Sequence, residues 1–101
     1  MSEFVKAIAA SELAEGAIRH VECNGTKIAV AKVGGKIHAI GNTCPHRGGP
    51  LGEGTLGGNI VTCPWHGWRY DVTTGACVNN PAAHVNCYEV KVENNDVLVK
   101  L

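Results

Sequence analysis

Two short segments of the chain each place a cysteine close to a histidine, among prolines and glycines. The first is Cys44-Pro45-His46, and the second, after sixteen intervening residues, is Cys63-Pro64-Trp65-His66. Thiolates and imidazoles are common protein ligands of zinc and iron. The pattern therefore predicts one metal site with four ligands, and it requires a fold that brings two distant loops together.

The order of these ligands separates two kinds of metal site. Ordinary Cys2His2 zinc sites place a close pair of cysteines before a close pair of histidines, whereas here each segment supplies one of each. A two-iron cluster with cysteines on one iron and histidines on the other can use this order directly, because each loop then reaches both irons. A structural zinc site stays open as the alternative.

The sequence around the four residues resembles the Rieske [2Fe-2S] family, in which two histidines replace two cysteines on one iron. The resemblance is carried by CPHRGGPL at residues 44–51 and by CPWHGWRYD at residues 63–71. It continues through Thr74-Gly75 to the segment Asn79-Asn80-Pro81, which is the candidate for a third loop beside the cluster. In outline the resemblance covers nearly the whole chain.

The resemblance implies a ligand set, one cluster per chain and a range of reduction potentials. Cys44 and Cys63 would hold the inner iron, and His46 and His66 the outer iron. Neutral imidazoles in place of two thiolates make the cluster less negative, which gives a potential of roughly −150 to +300 mV. The implied surroundings of the cluster are Arg47, Gly48, Trp65, Gly67, Trp68, Tyr70 and Pro81.

Four positions indicate where in that range this chain falls. High-potential Rieske proteins of respiratory complexes carry one extra cysteine in each ligand loop, joined as a disulfide, and a serine and a tyrosine near the cluster. Gly49 and Trp65 stand at the two cysteine positions, and Trp68 stands at the serine position. Tyr70 keeps the tyrosine. We therefore expect a potential near the low end, raised slightly by Tyr70.

The spacing of turn residues predicts an all-β fold. Asn-Gly, Gly-Gly and Asn-Asn pairs separate segments rich in Val, Ile and Thr, and a helical turn is predicted only over Ser11 to Glu15. Val97, Val99 and Leu101 share one face of the last segment, with Asp96 and Lys100 turned the other way, as in a strand with one buried face. The predicted strands are Val5 to Ala9, Ala17 to Cys23, Thr26 to Val33, Lys36 to Ile40, Asn59 to Thr62, Arg69 to Val72, Cys87 to Val92 and Asp96 to Lys100.

Length and composition limit the chain to one domain. A chain of 101 residues with 13 glycines can bury one modest core. The resemblance implies a small antiparallel β-sandwich of the Rieske kind. In it a cluster-binding subdomain, about residues 42–81, is inserted into a β base formed by residues 1–41 and 82–101.

Charge and hydropathy exclude several classes of partner. Nine basic residues balance nine acidic ones, which argues against nucleic acid or an anionic membrane as a partner. No segment approaches the ~20 apolar residues of a transmembrane helix, and the N-terminus lacks the pattern of a secretion signal. We therefore expect a cytoplasmic location.

The cysteines and histidines outside the ligand set carry no predicted function. Three thiols are expected to be free, although a disulfide among them stays open because sequence does not show which thiols meet. Single histidines are mostly surface groups or satisfied groups, so none receives a role. The residues concerned are Cys23, Cys77, Cys87, His20, His38 and His84.

The resemblance implies an electron carrier rather than an enzyme. The chain has no nucleotide-binding loop, no Ser-His-Asp order and no carboxylate-histidine cluster for mononuclear iron. The leading expectation is a monomeric ferredoxin that takes electrons from a flavin-containing reductase and passes them to a terminal oxygenase, commonly one that hydroxylates aromatic rings. Two alternatives stay open: a small Rieske-like subunit of a larger reductase such as nitrite reductase, and a zinc-stabilised interaction module.

Overall fold

The computed structural model describes residues 4–23, 25–43, 49–65, 67–80 and 82–100. These ranges contain nine β-strands and two single-turn 3-10 helices, which confirms the prediction of an all-β fold. The helices, η1 and η2, are Ala10–Glu12 and Leu51–Glu53. The strands are β1 Phe4–Ala9, β2 Ile18–Cys23, β3 Thr26–Val33, β4 Lys36–Gly41, β5 Thr55–Gly57, β6 Ile60–Thr62, β7 Arg69–Asp71, β8 Cys87–Glu93 and β9 Asp96–Lys100.

Strands from both ends of the chain share one six-stranded antiparallel sheet. Its order is β1-β9-β8-β4-β3-β2, and the pairing of β1 with β9 places Phe4 opposite Lys100. The two edge strands, β1 and β2, contact each other, so the sheet curls into a near-barrel. This closure covers edges that would otherwise expose unpaired backbone groups.

A second, smaller sheet follows the first ligand segment in sequence. It consists of β5, β6 and β7 in that order, all antiparallel. The strands β6 and β7 match the predicted strands to within one residue, but β5 was not predicted. Its sequence, Thr-Leu-Gly, has too few apolar residues to show an alternation, and it becomes a strand because Leu56 pairs with Val61 across the sheet.

The buried residues form two cores on opposite faces of β3. Successive side chains of a strand point to opposite faces, and β3 buries both of them. The base core, between β3 and the strands at the chain ends, contains Leu13, Cys23, Ile28, Val30, Ala39, Val97 and Val99. The loop-side core, between β3 and the small sheet, contains Ala29, Ala31, Ile40, Leu51, Val61, Cys63, Tyr70, Val72, Cys77 and Val85.

The predicted helical turn over Ser11 to Glu15 was displaced toward the N-terminus. The observed 3-10 turn is Ala10–Glu12. It ends because Leu13 has an extended backbone, with φ −117° and ψ 102°, and is buried in the base core. None of the helices in the described ranges is long and apolar enough to cross a membrane.

Glu15 connects the N-terminal segment to the turn between β3 and β4. Gly34 and Gly35 form that turn with positive φ, as predicted for a two-residue hairpin loop. Their N–H groups donate hydrogen bonds of 2.7 and 2.8 Å to the two carboxylate oxygens of Glu15. The hydrogen bonds from Gly35 and Gly34 lower the pKa of the Glu15 carboxyl, because they stabilise its ionised form.

We expect Glu15→Gln to lower the melting temperature by a few degrees at neutral pH, since an amide NH2 group accepts no hydrogen bond. The folded-state pKa lies below the usual value of 4.5, so the stabilisation is complete above that pH and is lost as the pH falls through the folded-state pKa. Thermal melts followed by circular dichroism should therefore show a difference that shrinks in acid. Glu53→Gln, at another exposed carboxylate, is the control. A difference independent of pH would contradict the prediction.

Candidate metal centre

The structure describes one of the four predicted ligands, Cys63. The other three, Cys44, His46 and His66, lie outside the described residues. The same holds for three of the predicted surroundings, namely Arg47, Gly48 and Pro81. The described part of the predicted site therefore comprises Cys63, the arms of the two ligand loops, and Trp65, Gly67, Trp68 and Tyr70.

Cys63 follows directly after β6, and it is 2% exposed within the loop-side core. Its N–H donates to the carbonyl of Trp68 at 2.7 Å, and its own carbonyl accepts from the N–H of Gly67 at 3.1 Å. These two hydrogen bonds close the second ligand loop into a tight turn. Gly67 has φ +75°, a conformation that other residues adopt only with strain.

The returning arm of the first loop contacts the second loop at Gly49. A Cβ built on Gly49 would lie 2.7 Å from Cys63 Sγ and 3.2 Å from Trp65 Cβ. The two loops are therefore in van der Waals contact with no space for a side chain. Positions 49 and 65, which the resemblance matches to the two positions of a bridging cysteine pair, are therefore adjacent, although 3.2 Å is shorter than the roughly 3.5–4.5 Å between the Cβ atoms of a disulfide.

The aromatic residues after Cys63 differ in exposure. Trp65 is 53% exposed, whereas Tyr70 on β7 is completely buried in the loop-side core. Trp68 is partly buried and packs against that core. The resemblance predicted all three near the site, and the structure brings them to the second loop and the strand that follows it.

The segment after Cys77 is tied to the first residue of β7, directly after the second loop, by backbone and side-chain hydrogen bonds. Asn79 Oδ1 accepts a hydrogen bond of 2.7 Å from the N–H of Arg69, at the start of β7. The N–H of Val78 donates to the carbonyl of Arg69 at 2.8 Å, and Asn80 Oδ1 accepts from the N–H of Ala82 at 3.0 Å. The described part of the predicted third loop, Asn79 and Asn80, is therefore held next to the start of β7.

The remaining cysteines are free thiols, as predicted. Cys23 and Cys77 are buried, and Cys87 is exposed. Burial raises the pKa of the Cys23 thiol, and burial together with the charge of Asp71 raises the pKa of the Cys87 thiol. Within the described ranges no group of three or more His, Cys, Asp or Glu side chains could hold a metal ion.

The sequence of the chain matches known proteins over nearly its full length. Residues 3–89 match the family described as the Rieske [2Fe-2S] domain. Over 100 residues the chain is 34% identical to the ferredoxin component of the naphthalene 1,2-dioxygenase system of Pseudomonas putida, covering 98% of this chain and 96% of that protein. It is also 37% identical to apoptosis-inducing factor 3 of Homo sapiens over 90 residues, which is 88% of this chain but 15% of that protein's length.

Two solved structures show the same arrangement of strands. A chain of the complex of reduced oxygenase and oxidized ferredoxin in carbazole 1,9a-dioxygenase matches with a TM-score of 0.88 and 36% identity, covering 96% of this chain and 92% of that chain. A protein described as an NADH-dependent nitrite reductase small subunit of Mycobacterium tuberculosis matches with a TM-score of 0.90 and 23% identity, covering 100% and 96%. At that identity the second likeness shows the fold alone.

We expect Gly49→Ala to reduce the iron content of the purified protein to less than about half of the wild-type value, because the added methyl group must displace the Cys63 thiol or the loop. Iron analysis measures the change directly. Gly57→Ala is the matched control, since a Cβ there meets no atom within 4 Å and should leave the iron content unchanged. Equal iron in wild type and Gly49→Ala would show that the contact does not constrain the site.

Proposed function

The chain belongs to the Rieske [2Fe-2S] domain family, and from that premise we propose that it carries single electrons from a flavin-containing reductase to a terminal oxygenase. The observation that carries this proposal is the match, over nearly the full length of both proteins, to the ferredoxin component of a dioxygenase system. Naphthalene is an aromatic hydrocarbon, so an oxygenase that hydroxylates aromatic rings is the proposed acceptor. The carrier has no substrate site of its own in this proposal.

The proposed cofactor is one [2Fe-2S] cluster per chain, with Cys44 and Cys63 on one iron and His46 and His66 on the other. Two thiolates and two imidazoles are the donor set of such a cluster, and the described surroundings of Cys63 are compatible with it. The thiol is buried among apolar side chains, and the neighbouring Gly49 has no side chain to compete for the space. When bound, the cluster supplies the uptake and release of one electron.

The second ligand loop begins in the buried core and reaches the protein surface within two residues. Cys63 is almost fully buried, whereas Trp65, two residues later, is more than half exposed. Aromatic side chains are enriched in protein interfaces, and contacts between electron-transfer proteins are small, below roughly 1,200 Å². We propose that Trp65 contacts the redox partners.

We infer that residues 42–81 form the cluster-binding subdomain and that residues 1–41 and 82–101 form its base. The small sheet falls within the first range, and the six-stranded sheet takes its strands from the two flanking ranges. Balanced charge supports a protein without nucleic acid or membrane partners. We propose that it acts as a monomer in the cytoplasm. The likeness to a nitrite reductase small subunit concerns the fold, so the ferredoxin remains the proposed function.

An EPR-monitored redox titration of the purified protein tests this proposal. We expect a reduced-state signal with the depressed average g value of a histidine-ligated cluster, and a one-electron midpoint near the low end of roughly −150 to +300 mV. A colourless, EPR-silent protein that contains zinc would refute the cluster and support the interaction module. Stable co-purification with a large reductase subunit would refute the role of a shuttling ferredoxin.

We expect Tyr70→Phe to shift the midpoint to more negative values, since a hydroxyl group that donates toward the cluster sulfurs stabilises the more negative reduced state. One hydrogen bond is worth about 0.5–1.5 kcal/mol, which corresponds to a shift of roughly 20–60 mV for a one-electron couple. The same titration measures the shift. An unchanged midpoint with an intact cluster would show that Tyr70, which is completely buried, contributes packing only.

A further inference from the structure

Asn42 is 4% exposed, and in the part of the chain that the structure describes it is the one buried residue with an amide or a charged side chain. Burial of an amide without hydrogen-bond partners costs free energy, so a buried asparagine depends on the bonds that it makes. Asn42 follows directly after β4 and lies two residues before Cys44. It therefore marks the point where the first ligand loop leaves the base.

Asn42, at the start of that loop, makes hydrogen bonds to the returning arm of the loop and to the base. Its backbone N–H donates to the carbonyl of Lys27 on β3 at 3.2 Å, and its carbonyl accepts from the N–H of Leu51 at 2.7 Å. Its side-chain Oδ1 accepts a second bond of 2.7 Å, from the buried N–H of Gly52. The chain thus returns, at Leu51 and Gly52, to the residue from which the loop departed.

The position of Gly52 shows how tightly this junction is built. A Cβ on Gly52 would lie 2.7 Å from Asn42 Oδ1 and 2.6 Å from the backbone N of His20. The 3-10 turn η2 is therefore pressed between the asparagine side chain and the edge strand β2. Thr43 and Pro50 add a β-bridge between the two arms, so the loop has a closed stem.

The stem determines where Gly49 lies, because Gly49 directly precedes the bridged Pro50. Gly49 in turn contacts the thiol of Cys63. We propose that Asn42 is a positioning residue: by accepting the hydrogen bond of Gly52 through its side chain, it fixes the stem of the first ligand loop and thereby the distance between the two ligand loops. This inference rests on the proposed function, since it assigns Asn42 to a chain that holds a cluster.

A residue that only stabilises the fold would act differently from a positioning residue. A substitution that only lowers the free energy of unfolding would speed the release of the cluster in proportion to that loss, wherever in the chain it lies. Loss of the Asn42 side chain should speed the release beyond that proportion, and it should also alter the EPR g values, which report the ligand geometry. The base core supplies the comparison, because Val99 is completely buried there and lies outside the loop-side core.

The experiment measures chelator-induced bleaching of the visible absorbance of the iron-loaded protein, with urea unfolding of the same samples. We expect Asn42→Ala to release the cluster about tenfold faster than wild type, because Gly52 loses its buried acceptor. Asn42→Asp keeps an acceptor oxygen, and its charge-assisted hydrogen bond from the N–H of Gly52 offsets the cost of burying the carboxylate, so release should stay within about threefold of wild type. Asn59→Ala, which removes an exposed amide that donates to Asp71, and Val99→Ala are the controls.

Three results would overturn the inference. The first is a wild-type release rate and unchanged g values in Asn42→Ala. The second is a release rate in Asn42→Ala that follows its unfolding free energy on the same line as Val99→Ala. The third is a rate in Asn42→Asp about tenfold above wild type, which decides the question even where the alanine variant does not fold. Wild-type protein that contains no iron and sulfide would refute the proposed function and this inference with it. If the wild-type protein contains the cluster, any of the three results refutes this inference alone.

Discussion

The contact between the backbone of Gly49 and the thiol of Cys63 is the constraint on which the arrangement of this protein depends. In the proposed site, two segments separated by sixteen residues supply the ligands, which requires their loops to lie in contact. A Cβ at position 49 would come within 2.7 Å of the sulfur atom, which is closer than van der Waals contact permits. The first loop can therefore approach the second because the residue at the contact has no side chain.

The two sheets support the two loops that meet at this contact. The small sheet β5-β6-β7 carries the second loop, which connects β6 to β7. The six-stranded sheet supports it through β3, whose Ala29 and Ala31 face the small sheet while Ile28 and Val30 face the base core. Alanine on the first face lets the two sheets pack closely, and the larger residues fill the core on the other face. One strand thereby belongs to both cores, which couples the two loops to a framework closed by the two ends of the chain.

The parts of this arrangement that local patterns encode could be predicted from the sequence. The alternation of Val97 and Val99 identified the strand β9, and the Gly34-Gly35 pair identified the turn between β3 and β4, because both depend on neighbours along the chain. The strand β5 escaped prediction because its three residues acquire their pairing from β6. The buried role of Asn42 escaped for a similar reason, since its side-chain partner, Gly52, is ten residues away. The sequence showed only that Gly49 stands where high-potential Rieske proteins have a cysteine. Its contact with Cys63 depends on how the two loops pack, which the sequence does not show.

The fold by itself does not determine what a protein of this architecture does, because one β framework can carry sites of different function. The features that distinguish this chain are concentrated where the loops meet. Glycine and tryptophan occupy the adjacent positions 49 and 65, so the loops are joined by close packing rather than by a covalent bond. A non-covalent junction can be held in register only if each loop is fixed separately. The second loop is fixed by the hydrogen bonds that Cys63 makes within its own turn. The position of the first loop depends on its stem. The packing at Gly49 and the hydrogen bonds at Asn42 therefore act together to hold the first loop against the second.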